Sequence, residues 1–228
     1  MIYGGLDERI QKMIETITSN APEGSVFFDF GINDGEMSAH INEEIVKHVK
    51  DYIYFGFDPD TRFEQSYRNK FAAFPNIQVV KKAIGAVTQK APFYLSSGYE
   101  KDSGGAILHS FFASSSIKKP TDVILQTYPH MKFDESQPVD VISLDDFCAE
   151  NKVESIHLIW ADIQGAELDM IKGGIDALKK TKYLYTEYNT IEVYEGCPNL
   201  QDLLNALPDW EVVEDFGSDV LLINKKIM

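Results

Sequence analysis

Cysteine is scarce in this sequence, which has two, Cys148 and Cys197, among 228 residues. They form no CxxC motif, so neither a disulfide framework nor a zinc ribbon is indicated and we expect two reduced thiols. No stretch approaches the roughly 18 consecutive apolar residues of a membrane-spanning helix. The amino terminus, MIYGGLDERI, lacks the basic and then apolar pattern of a signal peptide. These absences predict a soluble, cytoplasmic protein.

Positive charge is also scarce, because 21 Lys and Arg stand against 36 Asp and Glu, a net charge of −15 at pH 7. Such a charge repels phosphate backbones and argues against a nucleic-acid partner. Hydrophobic residues make up 44% of the chain and aromatic residues 12%, ample for a sizeable core. No linker or repeat divides the chain, so we expect one domain over residues 1–228. Homo-oligomer formation is left open.

Two nucleotide-binding motifs are missing. The sequence has no GxxxxGKS or GxxxxGKT, which excludes a P-loop, and no GxGxxG, the turn that holds the pyrophosphate in dinucleotide folds. What it has is FFDFGINDGEMSAHI over residues 27–41, where an apolar run breaks at Gly31 and Gly35 before a helix-like pattern. Strand, glycine turn and helix form the layout of a nucleotide-cofactor site, although a GxxxG turn alone is also common as a plain tight turn.

Short apolar runs alternate with helical patterns along most of the chain. The spacing of Leu6, Ile10, Met13 and Ile17 predicts an amino-terminal helix within residues 1–20. The predicted buried strands are residues 25–30, 52–58, 77–80, 157–162 and 183–187. Further helices are predicted from apolar residues at helical spacing, and one of them contains Leu168, Ile171, Ile175 and Leu178. Strands that alternate with helices predict β-α-β crossovers and a parallel sheet.

The middle and the end of the chain differ from this pattern. Residues 86–95 suggest an edge strand because Pro92 is poorly tolerated in a central one. Residues 96–119 are rich in Ser and Gly, and predict either an acceptor or lid loop or a surface loop without a role. WEVVEDFGSDVLLINKK predicts a terminal β-hairpin across Gly217. We therefore predict an α/β fold, a Rossmann-like three-layer sandwich whose mostly parallel, seven-stranded sheet ends in an antiparallel β-hairpin.

Acidic residues stand at the ends of four predicted strands: Asp29, Asp58, Asp162 and Glu187. Ligands of open parallel sheets bind beyond these carboxyl ends, so the four acids predict a shared cleft. Two Asp in the glycine turn would repel a diphosphate, whereas they would attract the sulfonium and ammonium groups of S-adenosylmethionine. Asp58 suits a ribose diol, which NAD also has. Local explanations exist too, since Asp58 can start a turn and Asp162 can cap a helix.

Six segments in order resemble the FkbM family of class I S-adenosylmethionine-dependent methyltransferases: DFGINDG, FDPD, KKAIGA, VISLDDF, ADIQGAELDMIKGG and YLYTEYN. The resemblance covers about residues 26–224, and ADIQGAELDMIKGG is its most specific segment. By position it implies that the methionine and ribose end of the donor is held by Asp29, Gly31, Asn33 and Gly35. It likewise implies Asp58 on the ribose diol, Ala83 and Ile84 beside adenine, and Asp162 near the methyl group.

Three positions depart from the family pattern. Ile32 stands where Ala is frequent, Asp58 where Glu is usual before Pro, and Gln164 where Glu is common. The shorter Asp58 can still reach a diol. Gln164 cannot act as a base or as a strong metal ligand, so a role that needs a carboxylate there is in doubt.

The resemblance implies O-methylation of a sugar, glycan or other small polyhydroxylated acceptor. This chemistry needs a base for the acceptor hydroxyl, and the candidates are Asp162, His109 and Glu187 in that order. In a metal-dependent version, Asp162, Glu187 and Asn189 would offer oxygen ligands to Mg²⁺ or Mn²⁺; alternatively, Glu187 and Asn189 only support the acceptor pocket. The aromatic residues that could stack on a sugar are Phe111, Phe112, Tyr188 and Tyr194.

Two other functions stay open from the sequence alone. A nicotinamide-dependent oxidoreductase would share the fold and the ribose-binding acid, but the missing GxGxxG weighs against it. A binding module that keeps the methyltransferase fold without turnover is the alternative outside enzymes, and the departure at Gln164 keeps it under consideration.

Overall fold

A computed structural model describes residues 7–227. In this range the strands, in chain order, are β1 (Ser25–Phe30), β2 (Tyr52–Phe57), β3 (Ile77–Val80), β4 (Ala83–Ile84), β5 (Gln89–Ser97), β6 (Tyr99–Lys101), β7 (Ile107–Ser110), β8 (Lys132–Ile142), β9 (Ile156–Ala161), β10 (Thr181–Glu187), β11 (Trp210–Asp215) and β12 (Asp219–Asn224). The α-helices are α1 (Glu8–Ser19), α2 (Glu36–His48), α3 (Glu64–Phe71), α4 (Asp122–Thr127), α5 (Leu144–Glu150), α6 (Glu167–Gly173), α7 (Ile175–Lys179) and α8 (Leu200–Ala206). A 3-10 turn spans Thr61–Phe63.

The main sheet has the predicted seven strands, in the order β11-β12-β10-β9-β1-β2-β3. Strands β10, β9, β1, β2 and β3 are parallel, whereas β12 runs antiparallel to both β10 and β11. Every residue of β1 and β9 is buried, because helices cover both faces of the sheet. The predicted fold class is confirmed, including the terminal antiparallel hairpin.

The two faces of the sheet are covered by different helices. One layer contains α1 and α2, whose apolar residues pack on Phe27, Tyr54 and Tyr185 of the sheet. The other layer contains α5, α6, α7 and α8. Within the part of the chain that the structure describes, no helix is both long enough and apolar enough to cross a membrane.

The middle of the chain forms structure that its sequence did not predict. Strand β5, which contains Pro92, is an edge strand as expected, but it belongs to a separate sheet of order β4-β8-β5. Residues 96–119 were expected to be a loop, yet they contain the β6–β7 hairpin, which pairs Tyr99 with Ser110. This hairpin is a correction to the predicted loop. The remainder, residues 111–117, returns across the carboxyl edge of the main sheet.

The helix predicted from Leu168 to Leu178 is instead two short helices, α6 and α7. The chain leaves helical geometry at Gly174 (φ −128°), where a side chain would come 2.9 Å from a methyl carbon of Leu144. The break rotates Ile175 into solvent, where it is 59% exposed, although its spacing predicted a buried position. Leu6, which the sequence placed on the first helix, lies outside the described residues.

The side of the sheet under α5 depends on an aromatic cluster formed by Phe28, Phe55, Phe57 and Phe147. The ring of Phe28 lies 5.3 Å from that of Phe55 and 5.8 Å from that of Phe147, centroid to centroid. Truncation to Phe28→Ala is expected to lower the free energy of unfolding by about 3–5 kcal/mol through lost burial and the cavity left behind. Urea denaturation followed by far-UV circular dichroism measures this loss.

The matched control is Val46→Ala on the exposed face of α2, where the side chain is 50% exposed. It should change the free energy of unfolding by about 0.5 kcal/mol or less. Equal losses in the two variants would contradict the assignment of Phe28 to the core.

Candidate functional site

A cavity of about 610 Å³ opens at the carboxyl ends of β1, β2 and β9. Its wall contains six of the residues that the sequence assigned to the donor: Gly31, Asn33, Asp58, Ala83, Ile84 and Asp162. Asp29 and Gly35 were assigned with them but are not in the wall. Asp29 lies on β1 beneath the turn, and Gly35 ends the turn directly before α2. Gly31, Asn33, Asp58 and Asp162 come together because β1, β2 and β9 are parallel and end at one edge of the main sheet. Ala83 and Ile84 form β4 of the smaller sheet, which follows β3 directly and closes the wall.

The glycine turn lies directly against the end of β9. A side chain at Gly31 would place its Cβ 2.0 Å from the carbonyl oxygen of Asp162, and the φ of +94° also favours glycine. The backbone N–H of Asp162 donates to the carbonyl of Phe30 at 3.0 Å, which fixes this close approach. Only glycine fits at position 31 without moving the β9 end.

Asp58 connects the end of β2 to the same turn. Its Oδ2 accepts a hydrogen bond from the backbone N–H of Asn33 at 2.7 Å, and its Oδ1 accepts one from the N–H of Asp60 at 2.7 Å. Burial raises the pKa of Asp58 to about 7, although both hydrogen bonds favour the carboxylate. Asp58 therefore shapes the turn and also presents an acceptor to the cavity.

Asp29 supports the turn from below. Its Oδ2 accepts hydrogen bonds from the hydroxyl of Ser38 at 2.5 Å and from the hydroxyl of Tyr54 at 2.7 Å. The residue is 2% exposed, and burial raises its pKa to about 6. Asp29 thus connects α2 to β2. This buried placement argues against direct contact between Asp29 and a bound methyl donor. Gly35 likewise packs against Tyr67, whose Cβ would lie 2.7 Å from a side chain at position 35.

Asp162 and Glu187 meet through Gln164. The side-chain amide of Gln164 donates to Oδ1 of Asp162 at 2.5 Å and to Oε2 of Glu187 at 3.2 Å. The amide oxygen of Gln164 accepts a hydrogen bond from the hydroxyl of Tyr194 at 3.2 Å. Gln164 itself lies in the left-handed region (φ 53°). The residue that departs from the family pattern is therefore a donor to both carboxyl groups.

The two carboxyl groups of this pair hold protons more tightly than isolated ones. Burial raises the pKa of Asp162, although the residue is exposed at the cavity wall. Burial raises the pKa of Glu187 further, and the charge of Asp162 adds to this effect. We infer that Glu187 is the protonated partner and that Asp162 carries the charge, since the hydrogen bonds from Gln164 and Glu187 favour ionised Asp162.

Glu167 shapes the turn after β9, and the sequence reasoning did not single it out. Its Oε1 accepts hydrogen bonds from the backbone N–H groups of Ile163 at 3.3 Å and Gly165 at 3.2 Å. The residue is fully buried, its Oε2 has no hydrogen-bond partner, and burial raises its pKa to about 7. The only signal was its position at the start of α6, where an acid is ordinary.

Of His109 and the candidate aromatic residues, some lie in the cavity wall and others lie away from it. His109 lies on β7, whose residues are all exposed, and it is not part of the cavity wall. Phe112 lines the cavity, whereas Phe111 contacts Tyr128. Tyr188 donates its hydroxyl to Asp215 at 2.8 Å. Glu187 is not in the wall either, but it accepts a hydrogen bond from Gln164, which is. The placement therefore favours Asp162 over His109 as the base, with Glu187 behind it.

The sequence does not show which side chains face the cavity, so several lining residues were not assigned to it: Met37, His40, Phe63, Lys82, Ser115 and Ser116. The metal alternative gains no support, since residues 7–227 contain no group of three His, Cys, Asp or Glu side chains placed to hold an ion. Asn189 donates its backbone N–H to Pro198, at 2.8 Å, in the segment after β10.

Comparisons with known proteins identify the family of this chain. The family described as "Methyltransferase FkbM domain" matches residues 29–217. A 2-O-methyltransferase NoeI from Sinorhizobium fredii (strain NBRC 101917 / NGR234) is 35% identical over 206 residues, 89% of this chain and 80% of that protein. The crystal structure of Methyltransferase FkbM from Methylobacillus flagellatus KT superposes with a TM-score of 0.53 at 16% identity and shows the same fold. That match covers 89% of this chain and 44% of the other, so this chain spans less than half of that protein.

Glu167 offers a direct test of the buried acids. Because its folded pKa of about 7 lies above the usual 4.5, folding favours the protonated acid. That stability is fully present below about pH 4.5 and is lost as the pH rises through about 7. Glu167→Gln stays neutral, so its melting temperature should rise relative to the wild type by several degrees between about pH 5 and about pH 8.

Differential scanning calorimetry across this pH range measures the difference. Glu154→Gln removes the same charge from an exposed position, so it controls for the change in net charge. Parallel profiles for Glu167→Gln and the wild type would show that Glu167 titrates normally and would refute this prediction.

Proposed function

Since the chain belongs to the FkbM methyltransferase family, we propose that it transfers a methyl group from S-adenosylmethionine to a hydroxyl of a sugar, a glycan or another small polyhydroxylated molecule. The observation that carries this proposal is the acid-lined cavity at the carboxyl ends of β1, β2 and β9. The family supplies the reaction class, methyl transfer. The donor is inferred from the cavity, and the acceptor from the family resemblance and from the name of the related protein.

The cavity wall fits S-adenosylmethionine, which supplies a methyl group activated on a sulfonium. Gly31 lets the turn lie backbone to backbone against the end of β9, and the turn so placed forms part of the cavity wall that a ligand would contact. Asp58 would accept hydrogen bonds from the ribose hydroxyls, and Asn33 would contact the methionine end. Ala83 and Ile84 form the buried apolar surface that would face adenine. Asp162 would attract the cationic end.

The same wall fits a nicotinamide dinucleotide poorly. A pyrophosphate needs backbone N–H groups free of nearby carboxylates, whereas Asp58 accepts the N–H of Asn33 and Asp162 adjoins Gly31. Both acids would repel a diphosphate at close range. The chemistry of this wall therefore supports a cationic donor.

The proposed acceptor is a hydroxyl compound. The related protein from Sinorhizobium fredii is named a 2-O-methyltransferase, which supports an oxygen acceptor. The pair of Asp162 and Glu187 would take the hydroxyl proton, and Gln164 would hold both carboxyl groups in place. Phe112 offers an aromatic surface for a sugar ring. The net charge of −15 favours an uncharged acceptor over a nucleic acid.

Donor binding is testable without an acceptor. Isothermal titration of the wild type with S-adenosylhomocysteine should give heat, whereas NADH should give none. Asp58→Asn is expected to weaken S-adenosylhomocysteine binding at least about tenfold, or about 1.4 kcal/mol. The asparagine side chain of this variant would have one acceptor oxygen fewer for the ribose hydroxyls. Its NH₂ group would also face a backbone N–H, of Asn33 or of Asp60, that donates to the carboxylate in the wild type.

Asp51→Asn is the matched control, because Asp51 precedes β2 on the exposed surface at the opposite end of the strand. It should leave the affinity within about twofold of the wild type. If the wild type bound NADH, or gave neither heat nor a thermal shift with S-adenosylhomocysteine, the proposed donor would be wrong.

The role of Asp162 is testable with a labelled methyl donor and a panel of methyl glycosides and oligosaccharides. Asp162→Asn is expected to lower kcat by about 10²–10⁴-fold, the usual contribution of a positioned base. Burial raises the pKa of the Asp162 and Glu187 carboxyls. Since the base must be ionised to act, the activity of the wild type should fall as the pH is lowered, and it should do so at pH values above the ordinary carboxyl range.

Asp134→Asn, at an exposed position, controls for the charge change. Transfer by Asp162→Asn at the wild-type rate would remove Asp162 from this role. Donor binding without transfer to any acceptor in the panel would favour a binding module.

A further inference from the structure

The guanidinium of Arg62 lies beside the cavity and has no role in the methyl transfer proposed above. Arg62 lies in the 3-10 turn that follows Asp58, and its side chain is 31% exposed. Its Nε donates to both carboxylate oxygens of Asp60, at 2.9 and 3.0 Å, and its Nη2 donates to Oδ2 at 2.6 Å. The Asp60 side chain is only 3% exposed, so this carboxylate is buried and compensated by Arg62.

Asp60 is also linked to the proposed ribose-binding acid. The backbone N–H of Asp60 donates to Oδ1 of Asp58 at 2.7 Å. Asp60 therefore fixes the orientation of Arg62, because Asp60 is itself held in the turn after β2 by Asp58.

The other edge of the same guanidinium reaches residues that are distant in sequence. Its Nη1 donates to the carbonyl oxygen of Ser96 at 2.9 Å, and its Nη2 donates to Oγ of Ser115 at 2.9 Å. The guanidinium carbon lies 5.4 Å from the ring centroid of Phe112 and 5.8 Å from that of Phe63, within the range of a cation–π contact. Both rings line the cavity.

Residues 111–117 are held at their two ends by other contacts. At one end the backbone N–H of Phe111 donates to the carbonyl of Gly98, and at the other Ser116 pairs with Tyr94. Between these ends, Oγ of Ser96 accepts the N–H of Ser114 at 3.0 Å, and the N–H of Ser96 donates to Oγ of Ser115 at 3.0 Å. The hydroxyl of Tyr194 donates to the carbonyl of Ser114 at 2.6 Å. Arg62 adds the contact that ties Ser115 to the turn after β2.

We propose that Arg62 is a positioning residue that fixes residues 112–115 as a preformed wall of the donor cavity. This inference rests on the proposed function for the identity of the ligand. A wall that is ordered before binding spares the ordering cost that a mobile segment would impose when the ligand enters. An ordinary surface ion pair would contribute little to stability. The pair of Arg62 and Asp60 differs because its carboxylate is buried and because Arg62 also contacts residues 112–115 on the other side of the cavity.

The geometry requires arginine and not merely a positive charge. The planar guanidinium donates to three residues at once, Asp60, Ser96 and Ser115. A lysine ammonium is a compact charge without this fork. Arg62→Lys should therefore keep the pair with Asp60 and lose the contacts to the second wall.

The first measurement needs no ligand. Amide hydrogen exchange of residues 112–115 in the free protein should accelerate at least about tenfold in Arg62→Ala and in Arg62→Lys. The second measurement is the affinity and dissociation rate of S-adenosylhomocysteine. Both variants should bind at least about tenfold more weakly, mainly through faster dissociation.

Arg68→Ala is the matched control. Arg68 is an exposed arginine that pairs with Glu64 on α3, so it removes the same charge near the same turn without touching residues 112–115. It should change neither measurement. Ser115→Ala removes the acceptor on the far wall, and its effect on binding should overlap with that of Arg62→Ala in a double-mutant cycle.

Unchanged exchange and unchanged binding in folded Arg62→Ala would overturn the proposal, as would fully additive effects of Arg62→Ala and Ser115→Ala. If Arg62→Ala does not fold, Arg62→Lys decides the question by the same two measurements, and its double-mutant cycle with Ser115→Ala replaces that of Arg62→Ala. A wild type that does not bind S-adenosylhomocysteine would refute the proposed donor. The exchange rates of the variants would still test Arg62.

Discussion

The close approach of two parallel strand ends governs this cavity. The carbonyl of Asp162 occupies the space that a side chain at position 31 would need, so β9 and the turn after β1 touch backbone to backbone. On the opposite side, the carboxylate of Asp58 accepts the N–H of Asn33 and ties the end of β2 to the same turn. Three neighbouring strands are thus joined at one edge, and the cavity wall takes its shape from these contacts. A ligand there meets backbone and carboxylates together.

The carboxyl groups around this edge carry a cost in the free protein. Burial raises the pKa values of Asp29, Asp58 and Glu167, which means that each charged form is disfavoured where it stands. Hydrogen bonds from backbone N–H groups and hydroxyls offset part of this cost. A cationic ligand beside Asp58 and Asp162 would offset more, and it would lower their pKa values in return, because binding and protonation are linked. With the proposed donor, these acids would make the cavity selective for charge as well as for shape.

Much of this arrangement could be predicted from the sequence, for a geometric reason. Gly31, Asp58 and Asp162 follow apolar runs, and parallel strands that alternate with helices end at one edge. The direction of the Asp29 side chain, away from the cavity, could not be predicted. Strand β1 is buried on both faces, so its sequence does not alternate between apolar and polar residues. The contact of Arg62 with Ser115 joins residues that no local pattern connects. The β6–β7 hairpin was hidden for a similar reason, because Ser and Gly indicate turns and not which strands pair.

Gln164 shows how a departure from a family pattern can be consistent with the same chemistry. Asp162 and Glu187 converge from adjacent strands, and a third carboxylate between them would add repulsion in a site where burial already disfavours charge. An amide is neutral and has two N–H donors, which here go to the two carboxyl groups, while its oxygen accepts the hydroxyl of Tyr194. The side chain thus uses its donors and its acceptor in one place. A glutamate at this position would have to be protonated to donate even one hydrogen bond. The loss of a carboxylate at position 164 is therefore compatible with Asp162 and Glu187 acting as one proton-accepting pair.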